Sequence, residues 1–321
     1  MSTFTGLIPP ICTPLTDTRE IDVTSLNEII EFQISQGASG IFVLGSSGEA
    51  IYLDDEQRRL VATAASRAVA GRVPLLLGAL APTARRVRQQ IDLLAPVKAD
   101  GFVLTAPFYA ALSAAEIVEH FRYVAKYATL PVIAYDIPGN VGAKLENPVL
   151  ATLLREGTVV GLKDSSGDVD AFRALAEELG TDRKCSLLSG ADTKALDALD
   201  AGADGMVPGL SNIRPDLFLR LQEAHRAGNG AAARVLQDGI ITLNGIFRIG
   251  QAHGLGRHAS EIGALKHVLH ERGVIATTRL PQPLSDYPDE ARDDASALMN
   301  KVDRQVAEGL AALEPEGATR G

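Results

Sequence analysis

The chain has 321 residues, 46% of them hydrophobic, which is enough for one large barrel-type domain with an appendage or for two ordinary domains. Its formal net charge is −9 and no basic cluster stands out, so nucleic acid and anionic membranes are poor partners. Cys12 and Cys185 each lie beside an apolar run, and we expect two reduced, buried thiols rather than a disulfide. Because no run approaches membrane-spanning length and the N-terminus lacks a basic region before a long apolar segment, we expect a soluble, cytoplasmic protein.

Strand-like apolar runs alternate with stretches of helical period through residues 1–227. The predicted strands are Gly6–Cys12, Gly40–Leu44, Val73–Gly78, Gly101–Thr105, Val132–Tyr135, Val159–Lys163, Ser186–Ser189 and Gly205–Val207. The predicted helices are Asp22–Gln36, Asp54–Ala70, Pro82–Leu94, Ala114–Tyr127, Pro148–Arg155, Val169–Leu179, Lys194–Leu199 and Leu217–His225. This strict alternation predicts an α/β fold, a (β/α)8 TIM barrel. A doubly wound sheet is the alternative, but no G-x-G-x-x-G follows the first strand.

The rest of the chain reads mostly as helix. After a break at Gly228–Gly230, we predict helices Ala231–Gln237, Ile240–Phe247, Glu261–Glu271 and Asp289–Ala311. These are too few for an independent catalytic domain. We therefore divide the chain into a catalytic barrel (1–227), a C-terminal helical appendage packed on it (228–313) and a polar, frayed tail (314–321).

Lys163 ends the sixth predicted strand, where barrels place their ligands. Burial there disfavours an ammonium and lowers the lysine pKa, leaving an amine that can attack a carbonyl. The structural alternative is a strand-end lysine paired with an acid such as Asp164. Tyr135 ends the preceding strand, so the two side chains should share the barrel mouth, where the phenol can move protons. This pairing favours a Schiff-base lysine.

The other strand ends are small and polar. Gly45–Glu49, with Ser46 and Ser47, suits a carboxylate, although an ordinary turn would look the same. The segments after strands seven and eight suit a hydroxylated substrate. None of the six histidines lies at a predicted strand end, and His267-x-x-His270 is a weak zinc pattern, so we predict no metal.

Three motifs in this order resemble those of the dihydrodipicolinate synthase / N-acetylneuraminate lyase family: Gly45-Ser46-Ser47-Gly48-Glu49, Tyr135-Asp136-Ile137-Pro138 and Gly161-Leu162-Lys163-Asp164-Ser165-Ser166-Gly167-Asp168. The resemblance covers roughly Phe4 to Asn300. It implies a (β/α)8 barrel with a C-terminal helical region, and a lysine that forms an imine with pyruvate or another 2-oxo acid. It implies no cofactor, and it suggests a homotetramer built as a dimer of dimers.

The resemblance also implies a role for each matching residue. Lys163 matches the imine-forming lysine and Tyr135 the proton-shuttling tyrosine. Ser46 matches a catalytic hydroxyl that is usually threonine or serine, and Ser47 its neighbour that holds the pyruvyl carboxylate. The remaining matches are Tyr109, which resembles a tyrosine that reaches a neighbouring subunit's site; Val207, whose backbone N–H would anchor the carboxylate; and Gly190 and Asp192, which resemble positions that touch substrate hydroxyls.

Asn140 departs from the pattern of the dihydrodipicolinate synthases, which carry an arginine there to grip the carboxylate of aspartate semialdehyde. Asparagine brings neither the charge nor the bidentate fork. We therefore expect a pyruvate-dependent class I aldolase that cleaves or forms a 2-keto-3-deoxy sugar acid or a 4-hydroxy-2-oxo acid, with pyruvate and an aldehyde as partners. The alternatives are a true dihydrodipicolinate synthase, a hydratase or dehydratase acting through the same imine, and a non-catalytic barrel that binds a 2-oxo acid.

Overall fold

The structure is a computed structural model that describes residues 4–313. Within these residues, eight parallel strands form one sheet: β1 (Gly6–Leu7), β2 (Ile41–Val43), β3 (Leu75–Gly78), β4 (Gly101–Thr105), β5 (Val132–Asp136), β6 (Gly161–Asp164), β7 (Ser186–Ser189) and β8 (Gly205–Met206). Strands β2 to β8 each pair with their neighbours in chain order, and β1 pairs with β8. The (β/α)8 fold predicted from the alternation is confirmed.

The barrel closes beyond the end of β1. The predicted first strand, Gly6–Cys12, is too long, because its two prolines have no N–H to donate to a ladder. After Leu7 the segment leaves β8 and pairs with β2 instead. The N–H of Phe42 donates to the carbonyl of Pro9 at 3.0 Å, and the N–H of Ile11 donates to the carbonyl of Phe42 at 2.8 Å. One irregular segment therefore bridges both edges of the sheet.

The helices around the barrel are α1 (Val23–Ser35), α2 (Asp55–Val69), α3 (Ala84–Leu94), α4 (Ala114–Tyr127), α5 (Pro138–Val141), α6 (Asn147–Arg155), α7 (Val169–Leu179), α8 (Ala195–Asp200) and α9 (Pro215–Arg226). Local chemistry sets several of their starts. Asp54 and Gln57 form a capping box at α2, and Ser113 and Glu116 form one at α4. The short helix α5 follows β5 directly and was not predicted from the sequence.

The C-terminal helices are α10 (Gly230–Leu243), α11 (Ile246–Ala252), α12 (Arg257–Glu271) and α13 (Asp289–Ala311). The predicted break before Ile240 is wrong, because α10 continues through Gly239. A Cβ at Gly239 would lie 2.4 Å from a methyl of Val306, so this glycine allows α10 to pack closely on α13. The predicted start of α12 at Glu261 is also wrong. The helix begins four residues earlier, at Arg257, which brings its first turn to the barrel mouth.

Cys12 and Cys185 are free and buried, as predicted. Within residues 4–313, no helix combines the length and the apolar character needed to cross a membrane. The predicted tail, residues 314–321, lies outside the described residues. The division into a catalytic barrel and a C-terminal helical region stays a prediction.

Candidate active site

A cavity of about 270 Å³ opens at the carboxyl ends of the strands. Eight of the nine site residues predicted from the sequence line it: Ser46, Ser47, Tyr135, Asn140, Lys163, Gly190, Asp192 and Val207. An adjoining lobe of about 230 Å³ shares part of this lining. Ligand pockets typically measure about 300–1,000 Å³, so these dimensions suit a small substrate.

Lys163 and Tyr135 lie side by side on adjacent strands. They are direct register partners on β6 and β5, and both side chains are buried. The Nζ of Lys163 lies 4.0 Å from the centre of the Tyr135 ring and 4.8 Å from the centre of the Phe42 ring. The amine is therefore held between two aromatic side chains inside the barrel.

This environment makes the amine available as a nucleophile. Burial lowers the pKa of Lys163 to about 7, and the negative charge of Asp192 opposes that shift. Lys163 forms no ion pair with any residue that the structure describes. Asp164, the partner in the structural alternative, accepts a hydrogen bond from the N–H of Ser166 at 2.7 Å instead. Near pH 7 a substantial fraction of Lys163 is thus uncharged.

Ser165 belongs to the Gly161–Asp168 motif but was given no role from the sequence, and it lines the cavity together with Lys163. Burial raises the pKa of Tyr135, and hydrogen bonding to the Ser165 side chain offsets part of that shift. Gly190 leaves the room for this arrangement. A Cβ at Gly190 would lie 2.2 Å from the Ser165 Oγ and 3.1 Å from the Lys163 Cε. The glycine after β7 therefore has a steric role, whether or not it touches a substrate.

Ser46 and Ser47 line the cavity on the loop after β2. The side-chain amide of Asn140, on α5, donates to the Ser46 Oγ at 3.2 Å. Glu49, further along the same loop, points away from the cavity and is buried in an ion pair with Lys266 of α12 at 2.7 Å. The serine loop is thus fixed from both sides, by α5 and by a C-terminal helix.

Asp192 and Val207 approach the lysine from the loops after β7 and β8. The Asp192 Oδ1 accepts from the N–H of Leu210 at 2.7 Å, and burial raises the pKa of Asp192 to about 6. The N–H of Val207, expected to anchor the carboxylate, already donates to the carbonyl of Ser189 at 2.7 Å, in the pairing of β7 with β8. A role for Val207 in binding the carboxylate stays a prediction. Val207 lines the cavity without a free donor.

Tyr109 is the predicted site residue that does not reach this cavity. Its side chain is fully exposed, and its backbone adopts a left-handed conformation with φ of 79°. A bulky residue in that region of φ/ψ space is uncommon. The preceding residue, Phe108, turns inward and lines the adjoining lobe. Tyr109 is therefore presented outward, away from the Lys163 of its own chain.

The first turns of α12 form the wall of the cavity that sequence analysis missed. Arg257, His258 and Glu261 line it. The Nη2 of Arg257 donates to the Gly139 carbonyl at 3.1 Å and to the Asn140 Oδ1 at 3.2 Å. The His258 ring stacks on the Tyr52 ring, with centroids 5.7 Å apart. No local pattern marks these residues, because α12 reaches the barrel mouth only through tertiary packing.

His267 and His270, the two histidines of the weak zinc pattern, make structural contacts. His267 is buried and stacks on Tyr287, with centroids 5.8 Å apart. The Nδ1 of His270 lies 3.1 Å from the Ile275 carbonyl. Among residues 4–313, no group of three or more His, Cys, Asp or Glu side chains is placed to hold a metal ion.

The fold and the site together define the class of protein: a parallel (β/α)8 barrel in which a buried lysine and a tyrosine lie side by side at the carboxyl ends of the strands. The sequence profile of the Dihydrodipicolinate synthetase family matches residues 3–302. The chain belongs to that family, whose members are aldolases and synthases of the lyase class, and it is an enzyme of that kind.

Three relatives illustrate the similarity. The "Probable 2-dehydro-3-deoxy-D-pentonate aldolase YjhH" of Escherichia coli K12 is 27% identical, over 93% of this chain and 97% of its own length. A 4-hydroxy-tetrahydrodipicolinate synthase of Methanoculleus marisnigri is 32% identical, over 73% of this chain and 80% of its own. The crystal structure of YagE, a prophage protein of E. coli K12 in complex with pyruvate, superposes with a TM-score of 0.87 at 26% identity, over 94% and 99% of the two chains.

Proposed function

We propose that this enzyme is a class I aldolase that cleaves, or forms, a 4-hydroxy-2-oxo acid or a 2-keto-3-deoxy sugar acid through a Schiff base on Lys163. The observation that carries the proposal is the buried amine of Lys163, which has no ion-pair partner in the part of the chain that the structure describes and lies 4.0 Å from the centre of the Tyr135 ring. An amine with a pKa of about 7 is a nucleophile near neutral pH. YagE, a relative of the same fold, binds pyruvate, and YjhH is named as an aldolase for a keto-deoxy acid.

In cleavage, the Lys163 nitrogen attacks the C2 ketone, and the carbinolamine takes up a proton from solvent and loses water to give a protonated imine. The C4 hydroxyl then passes its proton to the Tyr135 oxygen while the phenol passes its own proton on to solvent. The C3–C4 bond breaks, and its electron pair moves to C3 and the imine nitrogen as an enamine. The aldehyde leaves. Protonation of C3 and addition of water then release pyruvate and free Lys163. The hydroxyls of Ser46 and Ser47 would hold the C1 carboxylate so that C2 meets the amine.

Asn140 stands where the dihydrodipicolinate synthases carry their arginine, and its amide by itself offers neither charge nor a bidentate fork to the carboxylate of aspartate semialdehyde. A dihydrodipicolinate synthase remains the alternative that is tested beside the aldolase, as do a dehydratase and a barrel that only binds 2-oxo acids. Assays of pyruvate release from keto-deoxy acids, of condensation with aspartate semialdehyde and of dehydrated product separate these activities.

Borohydride trapping tests the covalent step. Treatment with pyruvate and borohydride should add a reduced pyruvyl group to the peptide that contains Lys163, and Lys163→Met should remove the adduct. Lys144, in the same region but paired with Asp136 at 2.6 Å, is the internal control and should stay unmodified. Absence of the Lys163 adduct under conditions that label a known lyase would reject the mechanism. Tyr135→Phe should retain the adduct and lose turnover.

The proposal extends to the assembly. The exposed Tyr109 would complete the proton relay in the site of a neighbouring subunit of a homotetramer built as a dimer of dimers. Sedimentation velocity would give the oligomeric state. We further assign the enzyme to the cytoplasm and expect it to need no cofactor, so turnover should persist in the presence of a chelator.

A further inference from the structure

Arg257 stands at the mouth of the cavity and has no hydrogen-bonded carboxylate among the described residues. Its Nη2 donates to two neutral acceptors, the Gly139 carbonyl and the Asn140 Oδ1, at 3.1 and 3.2 Å. The nearest acid is Glu261, whose Oε1 lies 4.0 Å from the Arg257 Nε, too far for a hydrogen bond. The guanidinium is therefore positioned by neutral groups and keeps donors for a ligand.

Arg257 differs in charge from the other basic side chains that line the cavity. Lys163 is uncharged in the form that reacts, and burial with the nearby charge of Arg257 lowers the pKa of His258. Burial also raises the pKa of Glu261, and Arg257 only partly offsets it. Among the described residues that line the cavity, Arg257 is thus the permanently charged cation.

The part of a substrate that Arg257 can contact depends on where Arg257 lies relative to the amine of Lys163. A hydrogen-bonded row runs across the cavity from Ser46 through Asn140 to Arg257, with 3.2 Å between the Ser46 Oγ and the Asn140 amide. Ser46 would hold the C1 carboxylate beside Lys163. Arg257 also lines the adjoining lobe, which Lys163 does not reach. It therefore faces the portion of the substrate that leaves as the aldehyde.

We infer that Arg257 is a specificity-determining residue that binds a carboxylate on the aldehyde portion of the substrate. This inference rests on the proposed function and narrows it, favouring 4-hydroxy-2-oxo acids with a terminal carboxylate over keto-deoxy acids with a neutral polyol end. A guanidinium fork matches the planar, singly charged carboxylate. A phosphate dianion would need a second permanent cation, and the described residues that line the cavity offer none beside Arg257.

Matched inhibitors test the inference without knowledge of the natural aldehyde. The assay is exchange of the C3 hydrogens of pyruvate with deuterated water, which needs imine formation but no aldehyde. The inhibitors are pairs of 2-oxo acids that differ only at the far end: 2-oxoglutarate against 2-oxopentanoate, and 2-oxoadipate against 2-oxohexanoate. For at least one pair, the wild-type enzyme should bind the dicarboxylate at least about tenfold more tightly.

The variants Arg257→Gln and Arg257→Lys then identify the residue responsible. Arg257→Gln should weaken binding of the dicarboxylate about 10- to 100-fold and change binding of its neutral partner by less than about threefold, with the uninhibited pyruvate exchange of the same variant as the reference. Arg257→Lys should retain part of the preference. Arg248→Gln, an exposed arginine on α11 outside the cavity lining, should behave as wild type.

Two results would overturn the inference while leaving the proposed function intact: no dicarboxylate preference at either length, or an equal loss for both inhibitors in Arg257→Gln. Absence of pyruvate exchange in the wild-type enzyme would instead overturn the proposed function, and the inference with it.

Discussion

Lys266→Met should destabilise the protein strongly, although Lys266 lies outside the cavity. Its Nζ lies 2.7 Å from the Glu49 Oε2, with both side chains at most 1% exposed. With an effective dielectric constant of about 20, Coulomb's law gives roughly 6 kcal/mol of attraction at that distance. Desolvation offsets part of it, and removing one partner of a buried pair typically costs about 3–5 kcal/mol. The free energy of unfolding should fall by that amount.

Urea denaturation monitored by circular dichroism measures the change. Lys194→Met is the matched control, because Lys194 pairs with Asp197 at 3.2 Å with both side chains about half exposed. An exposed pair of this kind is worth about 0–1 kcal/mol. The double variant Glu49→Gln, Lys266→Met should recover part of the loss, because no unpaired charge stays buried.

The pH dependence gives an independent check of the same reasoning. In the wild-type protein, burial raises the pKa of Glu49 and Lys266 lowers it, so the variant has a Glu49 pKa that is raised further. A raised folded-state pKa favours folding with the carboxyl protonated. Because the unfolded state is the same in both proteins, the stability deficit of Lys266→Met should grow as the pH rises above the folded-state Glu49 pKa of the wild-type protein and level off above that of the variant. A loss below about 1 kcal/mol, or a deficit independent of pH, would refute the buried-pair argument.

Two further predictions concern the amine. Asp192→Asn removes a negative charge that raises the Lys163 pKa. In stopped-flow pH profiles, the rate of imine formation with pyruvate should therefore have its midpoint at lower pH than in the wild-type enzyme, where it should lie near 7. An unchanged midpoint would show that the two groups do not interact. Gly190→Ala should lower the rate of pyruvate exchange more than about tenfold, because its Cβ would overlap the Ser165 Oγ at 2.2 Å and displace the lysine. Gly230→Ala is the control, since the new methyl would have open space around it. Equal activity of the two variants would contradict the steric role of Gly190.

The helices and strands could be predicted from the sequence wherever neighbouring residues determine the local structure. Alternation of apolar runs with amphipathic stretches requires only neighbouring residues, and it was sufficient for the barrel and for α13, whose bounds Asp289–Ala311 agree with the prediction. The pairing of Tyr135 with Lys163 also followed, because both end consecutive parallel strands. Gly239 shows the limit of this reasoning. It reads as a helix break, yet it serves close packing against a helix more than sixty residues away in the sequence.

The sequence by itself determined the barrel, the strand-end lysine and the tyrosine beside it, since each depends on a periodic pattern or on residues adjacent along the chain. Only the tertiary structure decided that the lysine is free of Asp164, that the Val207 N–H is occupied, and that α12 brings Arg257 to the cavity while Lys266 anchors it on Glu49. Those facts depend on contacts between segments far apart in sequence, and the residues that make them carry no local signature. Burial, charge and distance act only once the chain has folded.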